Sequence, residues 1–130
     1  YVIRAIEIFT ATNAPKNDKR AESKYEVLQL GLNWPKEKLF DRIEMRADEQ
    51  LHRGLIEETK HLLEMGYDKT LPSMSSLGYK EIIKYLDGEL TLEEAAELLK
   101  KNTRNYAKRQ ITWFKRDKNI IWMDAQEIFQ

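Results

Sequence analysis

The stretch 91–115, TLEEAAELLKKNTRNYAKRQITWFK, decides the fold because it predicts one long amphipathic helix. Thr91, followed three residues later by Glu94, forms a capping box, a pattern that begins helices by satisfying free backbone N–H groups. From residue 99 to residue 116 the chain has seven basic residues and no acidic one. Three- and four-residue steps place five side chains on one helix face. These are Lys101, Arg104, Lys108, Thr112 and Lys115.

A second face of this helix is aromatic, since Tyr106 and Trp113 lie seven residues apart. A basic face beside aromatic side chains is typical of a nucleic-acid surface. It is equally typical of an ordinary solvated helix in which acidic residues come first and basic residues last, as the helix dipole favours. The residues alone leave both interpretations open.

Composition limits the classes of protein to consider. The 130 residues carry 22 basic and 22 acidic side chains, so any attraction to nucleic acid must be local. The absence of cysteine from the sequence excludes disulfides and thiolate metal sites. No apolar run approaches the length of a membrane span and no signal-peptide pattern opens the chain. We therefore expect one domain, a cytoplasmic location and no membrane partner.

Two segments outside the long helix predict strands. Residues 25–33, YEVLQLGLN, alternate apolar side chains, and 120–123, IIWM, form a shorter apolar run. Two strands this short do not make a stable sheet alone. We expect that helices cover them or that they join a larger sheet.

The other elements are predicted to be helical. Residues 2–12 form one helix, and Pro35 opens another that runs over 36–53, can bend at Gly54 and continues to 65, where Gly66 ends it. Residues 77–86 form a further short helix after a turn, and 15–23 form a charged loop. The predicted fold class is mostly α with two short strands.

Two places suggest anion binding, each with a plainer alternative. Arg42, Arg46, Glu49 and Arg53 share a face of the helix after Pro35, where arginines bind phosphate well or simply pair with Glu49. The start of the helix over 77–86 offers free N–H groups for a phosphate, or for capping by a serine. The sequence contains no HExxH, Walker A or GxGxxG motif. No pair of carboxylates stands out as a general acid and base. His52 and His61 are predicted to be surface residues.

Four stretches together resemble one family, tRNA dimethylallyltransferase, also called tRNA isopentenyltransferase. They are VIRAIEIF at 2–9, GLNWPKEKLFDRIEMRADEQL at 31–51, LPSMSSLGYKEIIKYLDGELTLEEA at 71–95 and KNTRNYAKRQITWFKRD at 101–117. Their order and spacing make the match specific.

The resemblance implies an enzyme that transfers a dimethylallyl group from dimethylallyl diphosphate to the exocyclic amine of the adenosine 3′ of the anticodon. It implies a P-loop-like α/β core, a target base flipped out of its stack, and Mg²⁺ whose ligands are not in this chain. It also implies that the partners are a tRNA anticodon stem-loop and dimethylallyl diphosphate, and we expect a monomer.

The resemblance also assigns residues by position. Arg46 corresponds to the family's arginine that stabilises the leaving diphosphate. The tRNA-contacting positions are Arg4, Ser75, Ser76, Leu77, Gly78, Tyr79, Lys80, Lys108, Arg109, Gln110, Thr112, Trp113 and Lys115. Within the last segment Ile111 and Phe114 are expected to be core, and Trp113 is a further candidate for the core.

The sequence also departs from the family pattern. The family's P-loop, the aspartate that acts as its general base and most of its insertion domain have no counterpart in these residues, so 1–130 resembles a single C-terminal fragment. We expect the isolated chain to be inactive. Two other interpretations are a stand-alone helical RNA-binding module without catalysis, and an interaction module whose basic face is only solvated.

Overall fold

The computed structural model describes residues 2–13 and 25–128, without the side chains of Val2, Arg4 and Ala5. The predicted loop over 15–23 lies outside these residues. The elements in chain order are α1 (Val2–Thr12), β1 (Gln29–Asn33), α2 (Lys36–His52), α3 (Leu55–Glu64), α4 (Tyr79–Leu86), α5 (Leu92–Phe114), β2 (Ile120–Asp124) and α6 (Ala125–Ile128). The prediction of a mostly helical fold with two short strands is confirmed.

Local sequence explains most helix boundaries. Thr91 Oγ1 accepts the N–H of Glu94 at 3.2 Å and Glu94 Oε2 accepts the N–H of Thr91 at 2.8 Å, which confirms the capping box that begins α5. The prediction of one helix over 36–65 is wrong, because Gly54 adopts φ +97° and separates α2 from α3. A left-handed residue of this kind costs glycine little and breaks the helical path.

The core lies where α2 and α4 pack against α5, with α3 packed on α4. Leu99 and Ala95 of α5 and Ile82 of α4 are buried there. Ala47 is the buried residue of the predicted apolar face of α2, whose other members, Phe40, Ile43 and Leu51, are partly exposed. Helices α2 and α4 thus hold α5 on two sides and leave its C-terminal end accessible.

The strands β1 and β2 pair in parallel, with Gln29 opposite Ile120 and Asn33 opposite Asp124. The predicted strand over 25–33 is shorter than expected because residues 25–28 are irregular. Gly31 permits a close approach, since a Cβ atom there would lie 2.8 Å from Trp122 Cε3. Much apolar surface stays open around the pair, and Leu28 is 72% exposed.

Candidate nucleic-acid interface

Helices α2 and α5 run antiparallel and contact each other through side chains spaced four residues apart. Asp48 binds Lys100 at 2.8 Å, and one turn further along α5 the guanidinium of Arg104 binds Glu44. Burial of Lys100 opposes its charge, but the hydrogen bond to Asp48 is the larger effect and raises the pKa of Lys100. Arg104 therefore fits neither interpretation of the basic face, because its charge pairs with Glu44 and holds α5 on α2.

One more turn along, the partner of α5 is aromatic rather than acidic. Lys108 Nζ lies 5.5 Å from the centroid of the Phe40 ring, and Lys36 Nζ lies 5.6 Å from the same centroid. Cations within about 6 Å of an aromatic ring are attracted to it. A pocket of about 440 Å³ opens here, lined by the end of β1, the first turn of α2 and the last turns of α5.

The last turns of α5 present aromatic and cationic side chains together. Trp113 is 65% exposed and meets Phe114 edge-on, with ring centroids 4.9 Å apart. Arg109 lies over the Tyr106 ring at 5.7 Å. The expectation that Phe114 is core is wrong, and so is the placement of Trp113 in the core, because the strand pair covers this end of α5 only in part. Ile111 is half-buried. Such a surface can stack bases and bind phosphates.

The segment before α4 is shaped by a glycine and a buried carboxylate. Gly78 has φ +102° and lies against Leu55, and α4 begins at Tyr79 rather than at residue 77. Glu81 is fully buried, and its Oε2 accepts the Gly78 N–H at 2.9 Å. Serine capping is therefore wrong as a prediction, since Ser75 Oγ instead donates to the carbonyl of Pro72 at 2.8 Å. The carboxylate therefore takes one of the N–H groups at this helix start, that of Gly78, which is then not free for a phosphate.

Glu81 also connects α4 to α5. Asn102 Nδ2 donates to Glu81 Oε1 at 2.7 Å, and Lys80 Nζ lies 3.6 Å from the same oxygen. Tyr79 meanwhile donates its O–H to Glu58 of α3, and this hydrogen bond raises the pKa of Tyr79. Residues 75–80 are thus attached to both α3 and α5.

Arg46 lies on another side of α2. It lines a shallow pocket of about 340 Å³ with Leu39, Arg42, Ile43, Met45 and Glu49. At about 100° per residue, Arg46 is turned about 120° around α2 from Phe40. The structure therefore does not bring Arg46 to the Lys108 surface.

Two roles are predicted for the arginines near Arg46 on α2, binding an anion or pairing with Glu49. Arg42 lies 4.7 Å over the Trp34 ring. Arg53 pairs with Glu49 at 3.9 Å, as the plainer alternative predicted. Arg4 lies in α1, and its side chain is outside the described residues.

Sequence reasoning missed the roles of Lys36, Glu81 and Asn102. The contact between α2 and α5 does have a signal in the sequence. Phe40, Glu44 and Asp48 are spaced four residues apart, and so are their partners Lys108, Arg104 and Lys100 in the reverse direction. Nothing local marked Glu81 as buried. His52 and His61 are exposed, as expected. No helix among the described residues is long and apolar enough to cross a bilayer.

The known proteins that this chain resembles in sequence and structure are transferases. The solved full-length tRNA isopentenylpyrophosphate transferase from Bacillus halodurans matches with a TM-score of 0.75 and 43% identity over 95% of this chain and 37% of that chain. The solved tRNA delta(2)-isopentenylpyrophosphate transferase from Staphylococcus epidermidis gives a TM-score of 0.77 and 36% identity over 97% and 43%. The family model described as IPP transferase matches residues 1–117. The chain belongs to the IPP transferase family.

Curated relatives agree. A tRNA dimethylallyltransferase from Acetivibrio thermocellus is 47% identical over 131 residues, which is 97% of this chain and 42% of the relative. One from Alkaliphilus oremlandii is 50% identical over 125 residues, covering 93% and 40%. The chain thus spans about two fifths of the length of these relatives.

Proposed function

We propose that this chain acts in tRNA dimethylallyl transfer and supplies the tRNA-binding surface for it. The reaction moves a dimethylallyl group from dimethylallyl diphosphate to the exocyclic amine of the adenosine 3′ of the anticodon. Support comes from 47% and 50% identity to proteins named tRNA dimethylallyltransferase. Chemistry on a base requires that it leave its stack, so such an enzyme needs a surface that holds the surrounding anticodon loop.

The observation that carries this proposal is the exposed end of α5. Lys108 and Arg109 are exposed cations on the same turns as the exposed Trp113. Unpaired RNA loops are recognised by stacking on aromatic side chains and by cationic contacts to phosphates. Gln110, Thr112 and Lys115 are also exposed on this segment and complete the proposed contact set.

A second proposed tRNA contact is the segment before α4. Ser75 and Ser76 are exposed and present hydroxyl groups. Gly78 is buried, so its part is to set the backbone path. Leu77, Tyr79 and Lys80 are partly exposed beside them. Arg4 is proposed as a further contact on the resemblance alone.

Arg46 is proposed to stabilise the leaving diphosphate. Arg46 and Arg42 both line one open pocket, and arginine binds phosphate oxygens through paired N–H groups. A cation placed there would stabilise the charge that develops on the diphosphate as its C–O bond breaks. The proton acceptor for the amine is assigned to no residue of this chain.

The family resemblance implies Mg²⁺, but the residues present do not fit it. Over 2–13 and 25–128 no group of three histidine or carboxylate side chains is arranged to hold a metal ion. We therefore derive no step through Mg²⁺.

The larger sheet that the chain joins, its oligomeric state and its location in the cell are also proposals. The open apolar surface around β1 and β2 supports a larger parallel sheet of the P-loop-like type, since parallel strands are ordinarily covered on both faces. We propose that residues 1–130 act as one unit of such an enzyme, as a monomer in the cytoplasm.

The test is binding of an anticodon stem-loop RNA to this chain, measured by fluorescence anisotropy at about 50 mM and about 200 mM salt. A Lys108→Ala/Arg109→Ala variant should lose about 1–3 kcal/mol of binding free energy and show a shallower salt dependence. Lys38→Ala/Lys60→Ala removes the same charge elsewhere and should bind nearly as the parent. Equal binding by all three proteins, or none by the parent, would reject the proposal.

A further inference from the structure

The contacts between α2 and α5 change character at one end. Two cationic side chains of α5, one helical turn apart, each pair with an acidic side chain of α2: Lys100 with Asp48 and Arg104 with Glu44. Four residues further along α5, Lys108 meets Phe40 instead. The pattern that neutralises the first two cations therefore stops at the third.

A second lysine is added where an acid would complete the pattern. The ammonium groups of Lys36 and Lys108 lie 5.6 Å and 5.5 Å from the centroid of the same Phe40 ring. Within the described ranges neither has a carboxylate within 4.0 Å, whereas Lys100 has two. Both ammonium groups are held by one ring, and at about 0.1 M salt charges still interact over about 10 Å. An anion in the pocket that both lysines line would be attracted by both charges.

The space beside these lysines can hold such an anion. The pocket of about 440 Å³ is lined by ten residues, of which three are lysines and none is acidic. It lies at the end of β1, the side of a parallel strand where α/β proteins bind ligands. Its lining is Asn33, Trp34, Pro35, Lys36, Leu39, Phe40, Lys108, Ile111, Thr112 and Lys115.

We propose that this pocket is a phosphate site, with Lys36 and Lys108 as its cations and Phe40 as the ring that holds both in place. The phosphate is taken to be one of the RNA backbone, because Lys108 belongs to the exposed cation–aromatic end of α5. This choice rests on the proposed function. A small diphosphate has the same chemistry and is the other source that the experiment must separate.

Lys36 is the residue to change, since it belongs to the pocket and to no other proposed contact. Lys36→Ala should weaken binding of the anticodon stem-loop about three- to tenfold near 0.1 M salt and should reduce the salt slope by about one phosphate contact. Lys38→Ala is the matched control, with the same charge change on the same turn of α2. At about 100° per residue its side chain lies about 160° around the helix from Phe40. It should change affinity less than twofold.

A second variant and a second ligand separate the remaining interpretations. Phe40→Leu keeps both charges and the apolar bulk but removes the ring, so it should weaken stem-loop binding while keeping the salt slope. Inorganic pyrophosphate, titrated against the parent and Lys36→Ala by calorimetry, gives the small-diphosphate arm.

Each outcome is decisive for the site. Loss of RNA affinity in Lys36→Ala beyond that in Lys38→Ala supports an RNA phosphate, and loss of pyrophosphate affinity alone assigns the pocket to a small diphosphate. If Lys36→Ala and Lys38→Ala match the parent for both ligands, the pocket is not a phosphate site, even though the parent still binds RNA. If the parent binds no RNA, the proposed function fails, and the pyrophosphate arm decides the pocket separately.

Discussion

Replacing Glu81 by alanine is expected to destabilise the fold far more than replacing an exposed glutamate. The Glu81 carboxylate is fully buried and accepts two hydrogen bonds, from the Gly78 N–H at 2.9 Å and from Asn102 Nδ2 at 2.7 Å. Hydrogen bonds to charged groups contribute about 1.5–3 kcal/mol each, and unpaired buried donors are costly. Glu81→Ala should therefore lower the free energy of unfolding by about 3–5 kcal/mol.

Chemical denaturation measures this directly. Urea unfolding followed by circular dichroism at 222 nm should show a lower midpoint with an unchanged slope. Because folded domains are stable by about 5–15 kcal/mol, such a loss is a large part of the total, and the circular dichroism signal without urea shows the folded fraction of the variant at the start. Glu64→Ala is the matched control, since Glu64 is exposed and pairs with Lys60 at 3.9 Å, and it should cost less than about 0.5 kcal/mol.

A conservative pair of substitutions distinguishes the hydrogen bonds from simple packing. Glu81→Gln keeps the shape and can still accept from Gly78, but its amide NH₂ then faces the NH₂ of Asn102. Adding Asn102→Asp supplies an acceptor for that NH₂, whereas Asn102→Asp alone places two carboxylates together. The double variant should therefore be more stable than Asn102→Asp alone. A cost below about 1 kcal/mol for Glu81→Ala would refute the reasoning.

Three other predictions follow from single features. Gly31→Ala should destabilise the strand pair by about 1–3 kcal/mol in urea unfolding, because its Cβ would lie 2.8 Å from Trp122 Cε3, and an unchanged midpoint would contradict this. The raised pKa of Tyr79 means that the O–H bond to Glu58 stabilises the fold below the ordinary pKa of 10.0 and is lost as pH rises through the folded value. Absorbance titration at 295 nm should therefore show a late tyrosine transition that is absent in Tyr79→Phe and shifts down in Glu58→Gln, whereas an unaltered curve would count against the contact. This chain alone should give no prenylated RNA with dimethylallyl diphosphate in a radiolabel assay that a whole relative passes, and product above background would show that it carries its own catalytic set.

The sequence was sufficient where the determinants are local. Pro35, the capping box from Thr91 and the turn glycines predicted the helices closely, because caps and glycine conformations depend on a few neighbouring residues. The sequence predicts only a bend at Gly54, whereas its left-handed φ of +97° ends the helix there. The mostly helical fold follows from periodicity and caps, and the family follows from the order and spacing of four motifs.

The site was harder to predict because its charges are matched across helices. Periodicity places Arg104 on the basic face of α5 but cannot show its partner, because Glu44 is sixty positions away in sequence. The burial of Glu81 and the exposure of Trp113 likewise depend on which helices pack together. Periodicity gives the faces of a helix but not what each face meets. The assigned roles of Arg46 and of the tRNA contacts stay predictions.

The parallel pairing of β1 with β2 also sets the order of folding. The register joins residue 29 to residue 120, so the pairing closes a loop that contains α2, α3, α4 and α5. Closing so long a loop costs entropy that local helical contacts avoid. We therefore expect the helices to assemble first and bring the two strands together, and the strand pair to form last. Hydrogen exchange at Leu30 and Ile121 should thus report the final step of folding rather than its nucleus.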